Sequence, residues 1–255
     1  MRLLNTETLE LISFIGQVPD YVILSHRWEE EEIVFEDVSK VPLSSQTNPA
    51  RVKRGFLKVL GTCALAVKHG YKWVWIDSCC IDKSSSAELQ ESINSMFRWY
   101  QRAQICYAYL SDVADKSSGW GQAFGKSQWF TRGWTLQELL APCNVEFYSA
   151  DWSPIGNKFS RAKQVASITS IDVAALESDW VMIEDEFCAA QKLSWAAHRE
   201  VSKEEDESYC LFGLFNVNLP LLYGEGEVKA FRRLQQAIFE ESADHSLFLF
   251  SRSSS

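Results

Sequence analysis

Apolar residues along this chain fall into two rhythms that alternate as far as about residue 150. Short runs rich in β-branched and aromatic residues occur at 21–26, 73–77, 105–110 and 145–148, and each reads as a strand. The second run is apolar on both faces, as expected of a central parallel strand. Between the runs the period lengthens. Phe56, Leu57, Leu60, Ala64 and Val67 recur at helical spacing, with Gly70 as a stop. Leu89, Ile93, Met96, Phe97 and Tyr100 mark one face of a second helix, and Ser85 with Glu88 spells a capping box ahead of it. A glycine- and serine-rich loop over 117–125 leads to a third helix carrying Trp134 and Glu138, which Pro142 ends. Strands alternating with helices predict an α/β fold with a doubly wound parallel sheet over residues 1–150.

Past Asp151 the strand rhythm stops, and residues 151–250 read as a helical extension. Its expected helices are Glu184 to His198, a stretch from Ser202 (capped with Glu205) toward Phe215, and Glu227 to Glu241 with Val228, Phe231, Leu234 and Ile238 inward. Gly224-Glu225-Gly226-Glu227 forms a turn into the last of these. The tail 251–255 is serine-rich and predicts disorder. No repeat period is visible.

Composition narrows the function classes. At 46% hydrophobic and 13% aromatic, the 255 residues have ample material for a core, as one domain or as a domain with an extension. A net charge of −9 excludes a general nucleic-acid surface, while leaving room for a small anion held by a few arginines. Seven cysteines form an odd set with no Cys-x-x-Cys spacing, which suits reduced thiols. No apolar run reaches the ~20 residues that span a bilayer. Glu7 and Glu10 interrupt any signal-like pattern at the start. A cytoplasmic protein without a membrane partner is expected.

In sheets of this kind ligands bind beyond the carboxyl ends of the strands. There the chain places Ser25-His26-Arg27-Trp28, then Asp77 followed by Cys79, Cys80 and Asp82, then Ser111-Asp112, and Glu138 from the third helix. Trp134 and Glu138, four apart, share one helix face. An indole beside an acid suits a nucleoside and its glycosidic bond. Each residue also has a structural reading. Trp134 could be core and Glu138 a solvated charge; His26 could be a satisfied half-buried histidine; Asp77 and Asp82 could cap turns; Cys79 and Cys80 could fill the core. The Cys, His and Asp residues lack the spacing of a metal site. No Gly-x-Gly-x-x-Gly follows the first strand and no Walker loop occurs, so hydride transfer is not expected.

Four ordered segments, YVILSHRW (Tyr21 to Trp28), WIDSCCIDK (Trp75 to Lys83), WFTRGWTLQEL (Trp129 to Leu139) and PLLYGEGE (Pro220 to Glu227), resemble the fungal heterokaryon-incompatibility (HET) domain. The opening MRLLN resembles the group in which this domain precedes an NTPase and a repeat array. HET domains are in turn similar to TIR domains, and that likeness implies a flavodoxin-like sheet. TIR enzymes carry their glutamate in a Trp-Cys-x-x-Glu pattern, which Trp134 to Glu138 keeps with Thr135 in place of cysteine; His26-Arg27 departs from the usual TIR strand ending. The resemblance implies Glu138 as catalytic, with Ser25, His26, Arg27, Trp28, Asp77, Cys80, Asp82, Arg132 and Trp134 contacting the substrate. That substrate is NAD⁺, cleaved at its nicotinamide–ribose bond with no separate cofactor. Self-association, a fused or separate NTPase or repeat sensor, and cell death in non-self recognition are also implied. Two alternatives are a non-enzymatic self-associating module and a base-exchange or cyclising transferase.

Overall fold

A computed structural model describes residues 1–114, 120–242 and 244–249. The expected tail 251–255 and positions 117–119 of the expected loop lie outside the described residues. Seven strands form one sheet: β1 Arg2–Asn5, β2 Leu11–Ser13, β3 Val22–His26, β4 Trp73–Ile76, β5 Cys106–Leu110, β6 Val145–Ser149 and β7 Pro154–Asn157. Their order is β2-β1-β4-β3-β5-β6-β7. The run β4, β3, β5, β6 is parallel throughout and corresponds to the strands read from sequence.

The sheet is nevertheless mixed, which corrects the expectation of a wholly parallel one. β1 pairs antiparallel with β4 and β2, and β7 pairs antiparallel with β6. Strands of three or four residues carry too little alternation to be read by period. β7 also opens on Pro154, which an edge strand tolerates at its first position.

Four helices matter for the site: α1 Arg54–Lys68, α2 Ser86–Arg102, α3 Thr135–Leu140 and α4 Glu227–Glu241. α1 turns Phe56, Val59, Cys63 and Ala66 inward, leaving Leu57 exposed, and the chain leaves it through Gly70 at φ 83°. At the start of α2 only half of the expected capping box forms. Ser85 accepts from the Glu88 amide, but the Glu88 carboxylate turns to Arg2 (2.9 Å) and the Asp82 amide (2.9 Å). Part of the expected loop is helical, at Trp120–Gly125.

The C-terminal helices are shorter than their pattern suggested. The Glu184 to His198 stretch is split into Trp180–Glu186 and Ala189–Ser194 by extended backbone at Phe187 and Cys188. The Ser202 to Phe215 stretch holds only Asp206–Tyr209 and a 3₁₀ turn, Gly213–Phe215. α4 keeps its expected bounds, with Leu234 and Ile238 buried and Val228 exposed. This region packs on α2 and on the approach to α3. A Cβ at Gly213 would lie 2.0 Å from that of Phe97, so only glycine fits that approach. The Gly133 amide donates to the Glu200 carbonyl at 2.9 Å, docking residues 200–201 beside the start of α3.

Candidate active site

The parallel strands follow the spatial order second, first, third, fourth, so the chain reverses its direction of winding between β3 and β5. A crevice opens at the carboxyl ends there. Register places Ser25 opposite Ala108 and Leu24 opposite Ile76, so Ser25, His26 and Asp77 emerge at one level. His26 and Asp77 meet a cavity of about 330 Å³, at the small end of the range for ligand pockets. His26, Arg27, Trp28, Asp77, Arg132, Trp134 and Glu138 line it, together with Ile81, Lys83, Leu89, Ile93, Met96 and Thr135. Ser202, Lys203, Asp206 and Tyr223 form its outer wall.

Glu138 lies at the inner end, 7% exposed. The Ser25 hydroxyl donates to Glu138 Oε2, and the Trp129 indole N–H donates to Ser25 Oγ at 2.8 Å. Because Ser25 accepts from the indole, its single proton is directed at the carboxylate. Burial drives the Glu138 pKa up to about 8, the Ser25 hydrogen bond opposes this, and the Asp77 charge adds to it; Tyr100 and Arg199 act against the rise. Arg199 braces the start of α3 from behind. Its guanidinium donates to the Arg132 carbonyl at 2.9 Å and to the Thr135 hydroxyl at 3.0 Å.

Two indoles face the cavity, each beside an aspartate. Trp28 Nε1 donates to Asp77 Oδ2 at 2.8 Å, and Trp134 stands by Asp206, which accepts from the Tyr223 hydroxyl at 2.9 Å. The Lys83 ammonium lies 3.4 Å from the Trp28 ring centroid and 3.5 Å from Asp77. Burial lowers the Lys83 pKa. Around the mouth Arg27 donates to Gln128 and Arg132 to Ser202 at 3.1 Å. A chain of net charge −9 thus gathers four cations, Arg27, Lys83, Arg132 and Lys203, about one cavity.

His26 separates this cavity from a buried ion pair. Its ring lies 3.8 Å from Asp77 Oδ1 on one side and 3.7 Å from Glu32 Oε2 on the other, and neither ring nitrogen has a hydrogen bond among the described residues. Glu32 pairs with buried Lys58. Burial opposes ionisation of Glu32, but His26 and Lys58 outweigh it and hold its pKa at about 2.

Two residues expected at the substrate stand elsewhere. Cys80 is buried in the turn after β4, its sulfur accepting from the Ile76 amide at 3.4 Å, as a core residue would. Asp82 is a turn former, accepting from the Ser84 amide at 3.0 Å and hydroxyl at 2.6 Å. Asp112 likewise holds the turn ahead of Trp129, accepting from the Ser127 hydroxyl and the Gln128 amide. Ser25 does not line the cavity but acts beneath it through Glu138. Sequence reasoning missed Trp129, Tyr100, Arg199, Lys83, Lys203, Asp206 and Tyr223 as site residues. Trp129 and Tyr223 sat inside quoted motifs; Arg199 and Asp206 carried no local signal.

Among the described residues no helix is long and apolar enough to cross a membrane, and no group of three or more His, Cys, Asp or Glu is arranged to hold a metal ion. The family model for heterokaryon incompatibility protein (HET) matches residues 21–124. Vegetative incompatibility protein HET-E-1 of Podospora anserina is 44% identical over 231 residues, which is 88% of this chain and 16% of that protein. This chain therefore spans a small part of that relative's length. No solved structure matches it. The ordered motifs, the family match and the identity over most of its length agree: the chain belongs to the heterokaryon incompatibility (HET) family.

Proposed function

We propose that this chain is a cell-death effector of fungal non-self recognition that hydrolyses the nicotinamide–ribose bond of NAD⁺, with Glu138 as its catalytic residue. The observation that carries the reading is a buried carboxylate, aimed by Ser25 and Trp129, at the inner end of a cavity with an indole on the same helical face. The order second-first-third-fourth of the parallel strands also supports a flavodoxin-like, TIR-like sheet as its scaffold.

In the reaction the bond between ribose C1′ and the pyridinium nitrogen breaks, and its electron pair leaves with neutral nicotinamide. Water adds its oxygen to C1′ and releases a proton, giving ADP-ribose. The leaving group is already cationic, so no general acid is needed. The site must instead stabilise an oxocarbenium-like ribose. An ionised Glu138 beside the ribose supplies that negative charge. The pyridinium enters as a cation, favouring the ionised form and so offsetting the rise caused by burial. Trp28 and Asp77 already hold the Lys83 ammonium, which meets the same electrostatic demand as a charged ring. Arg27 and Arg132 at the mouth suit the diphosphate.

The test is nicotinamide release from NAD⁺ by protein that has been concentrated or artificially clustered, because enzymes of this kind assemble to work. Wild type should release nicotinamide, and Glu138→Gln should not. Equal release by both removes the assignment. Cell death that survives Glu138→Gln would favour a self-associating module instead, and a cyclic or base-exchanged product would indicate a transferase.

A further inference from the structure

The motif Pro220 to Glu227 plays no part in the cleavage chemistry, yet the fold fixes it beside the cavity with unusual thoroughness. Asn94 of α2 exchanges hydrogen bonds with both backbone groups of Leu219, at 3.0 and 3.1 Å, and Gln90 accepts from the Leu221 amide at 3.3 Å. Glu205 accepts from the Gly224 and Gly226 amides at 2.6 and 3.3 Å. The Tyr209 hydroxyl accepts from the Leu222 amide at 2.9 Å. Every fastening holds Tyr223 at the cavity wall, where its hydroxyl reaches Asp206 and the Lys203 ammonium lies 3.8 Å from its ring centroid.

Along α2 the same cavity exposes Leu89, Ile93 and Met96, spaced so that they share one helix face. Met96 touches the catalytic helix, its sulfur accepting from Gln137 Nε2 at 3.4 Å. Leu89 stands two turns away, about 10 Å along the axis. An apolar strip therefore runs outward from the neighbourhood of Glu138, with the fastened loop at its side. Bond cleavage has no use for such a strip. A flat, weakly polar group at the far end of the substrate does.

We infer that Leu89, Ile93 and Tyr223 form a distal subsite for the nucleobase at the unreactive end of a dinucleotide, with Lys203 beside its phosphates. The inference rests on the hydrolase reading for the identity of the near end. Loop and strip are held before ligand arrives, so binding there costs little ordering. Asp206 holds Tyr223 in place, accepting from its hydroxyl at 2.9 Å.

The experiment compares NAD⁺ with nicotinamide mononucleotide, which has the same scissile bond and no second base. Tyr223→Ala and Leu89→Ser should each lower the ratio of kcat/KM for NAD⁺ over that for the mononucleotide about tenfold, the scale of one base–aromatic contact. Tyr223→Phe, which keeps the ring, should hold the ratio. An unchanged ratio in both Tyr223→Ala and Leu89→Ser overturns the subsite. Calorimetric binding of ADP-ribose separates this inference from the reaction itself. Wild type should bind it and Tyr223→Ala about tenfold more weakly, even in protein that releases no nicotinamide. Equal binding by the two, or none by wild type, sinks the subsite whatever the catalytic result.

Discussion

Glu32 and Glu138 are the same residue type, both are buried, and both approach the carboxyl end of β3, yet their surroundings treat the charge in opposite ways. Glu32 meets a buried lysine and an imidazole, and its pKa falls to about 2. Glu138 meets a hydroxyl, a nearby aspartate and apolar walls, and its pKa rises to about 8. Burial is the largest influence on each; what differs is that Lys58 pairs directly with Glu32, while the more remote Arg199 only moderates the rise at Glu138. Glu32 is committed to its charge, and its task is to hold α1 and the 29–33 segment together. Glu138 is left able to change state when a cationic ligand supplies the missing partner.

The largest effect should come from Glu138 itself. Glu138→Gln keeps the shape and can still accept from Ser25, but loses the charge, and nicotinamide release should fall at least about 10²-fold, the scale of losing one main electrostatic stabiliser. The same change at Glu32 should spare the chemistry and weaken the fold. Lys58→Met, which strands Glu32 without its partner, should cost about 3–5 kcal/mol in denaturant unfolding. The double change Lys58→Met with Glu32→Leu should recover most of that. If the single and double variants are equally unstable, the ion pair is not what holds this region.

Stability against pH sharpens the contrast, because the two residues contribute with opposite sign. Glu138, with its raised pKa, adds stability in full below about pH 4.5 that is lost as pH rises through about 8. Glu32, with its lowered pKa, adds stability above about pH 4.5 that is lost as pH falls toward about 2. Glu138→Gln should therefore gain on wild type between pH 5 and 8, by up to about 1.4 kcal/mol per pH unit. Glu32→Gln should approach wild type as the solution turns acid. Thermal unfolding across pH measures both trends, and parallel curves for all three proteins would refute them. A smaller effect is expected from Asp77→Asn. Removing that neighbouring charge should lower the apparent pKa governing kcat/KM by a fraction of a unit to about one unit.

Much of the scaffold was legible because the central strands are unbroken runs of apolar, aromatic and β-branched residues that declare themselves without alternation. Trp73–Ile76 and Cys106–Leu110 could hardly be anything else. The edge strands were not legible, because Leu11–Ser13 offers a single alternation, too little for its period to declare it even beside its hairpin partner β1. In the site, the spacing of Trp134 and Glu138 was enough to predict a shared helix face, and both line the cavity. Cys80 and Asp82 show where sequence position misleads, since lying next to Asp77 in the chain does not mean facing the same way. The outer wall was hidden for another reason. Asp206 belongs to a four-residue helix, and contacts far apart in sequence, such as the packing of Gly213 on Phe97 and the hydrogen bond from the Glu200 amide to the Thr131 carbonyl, bring that region to the cavity. Such contacts depend on shape at a distance, which local pattern does not record.

If ionisation of buried Glu138 governs cleavage, as proposed, the pH dependence of kcat/KM for NAD⁺ on assembled protein will report it. The rate should climb with pH and reach half its maximum near pH 8, with the limb shifted downward in Asp77→Asn. A profile flat from pH 6 to 9, unmoved by Asp77→Asn, would contradict it.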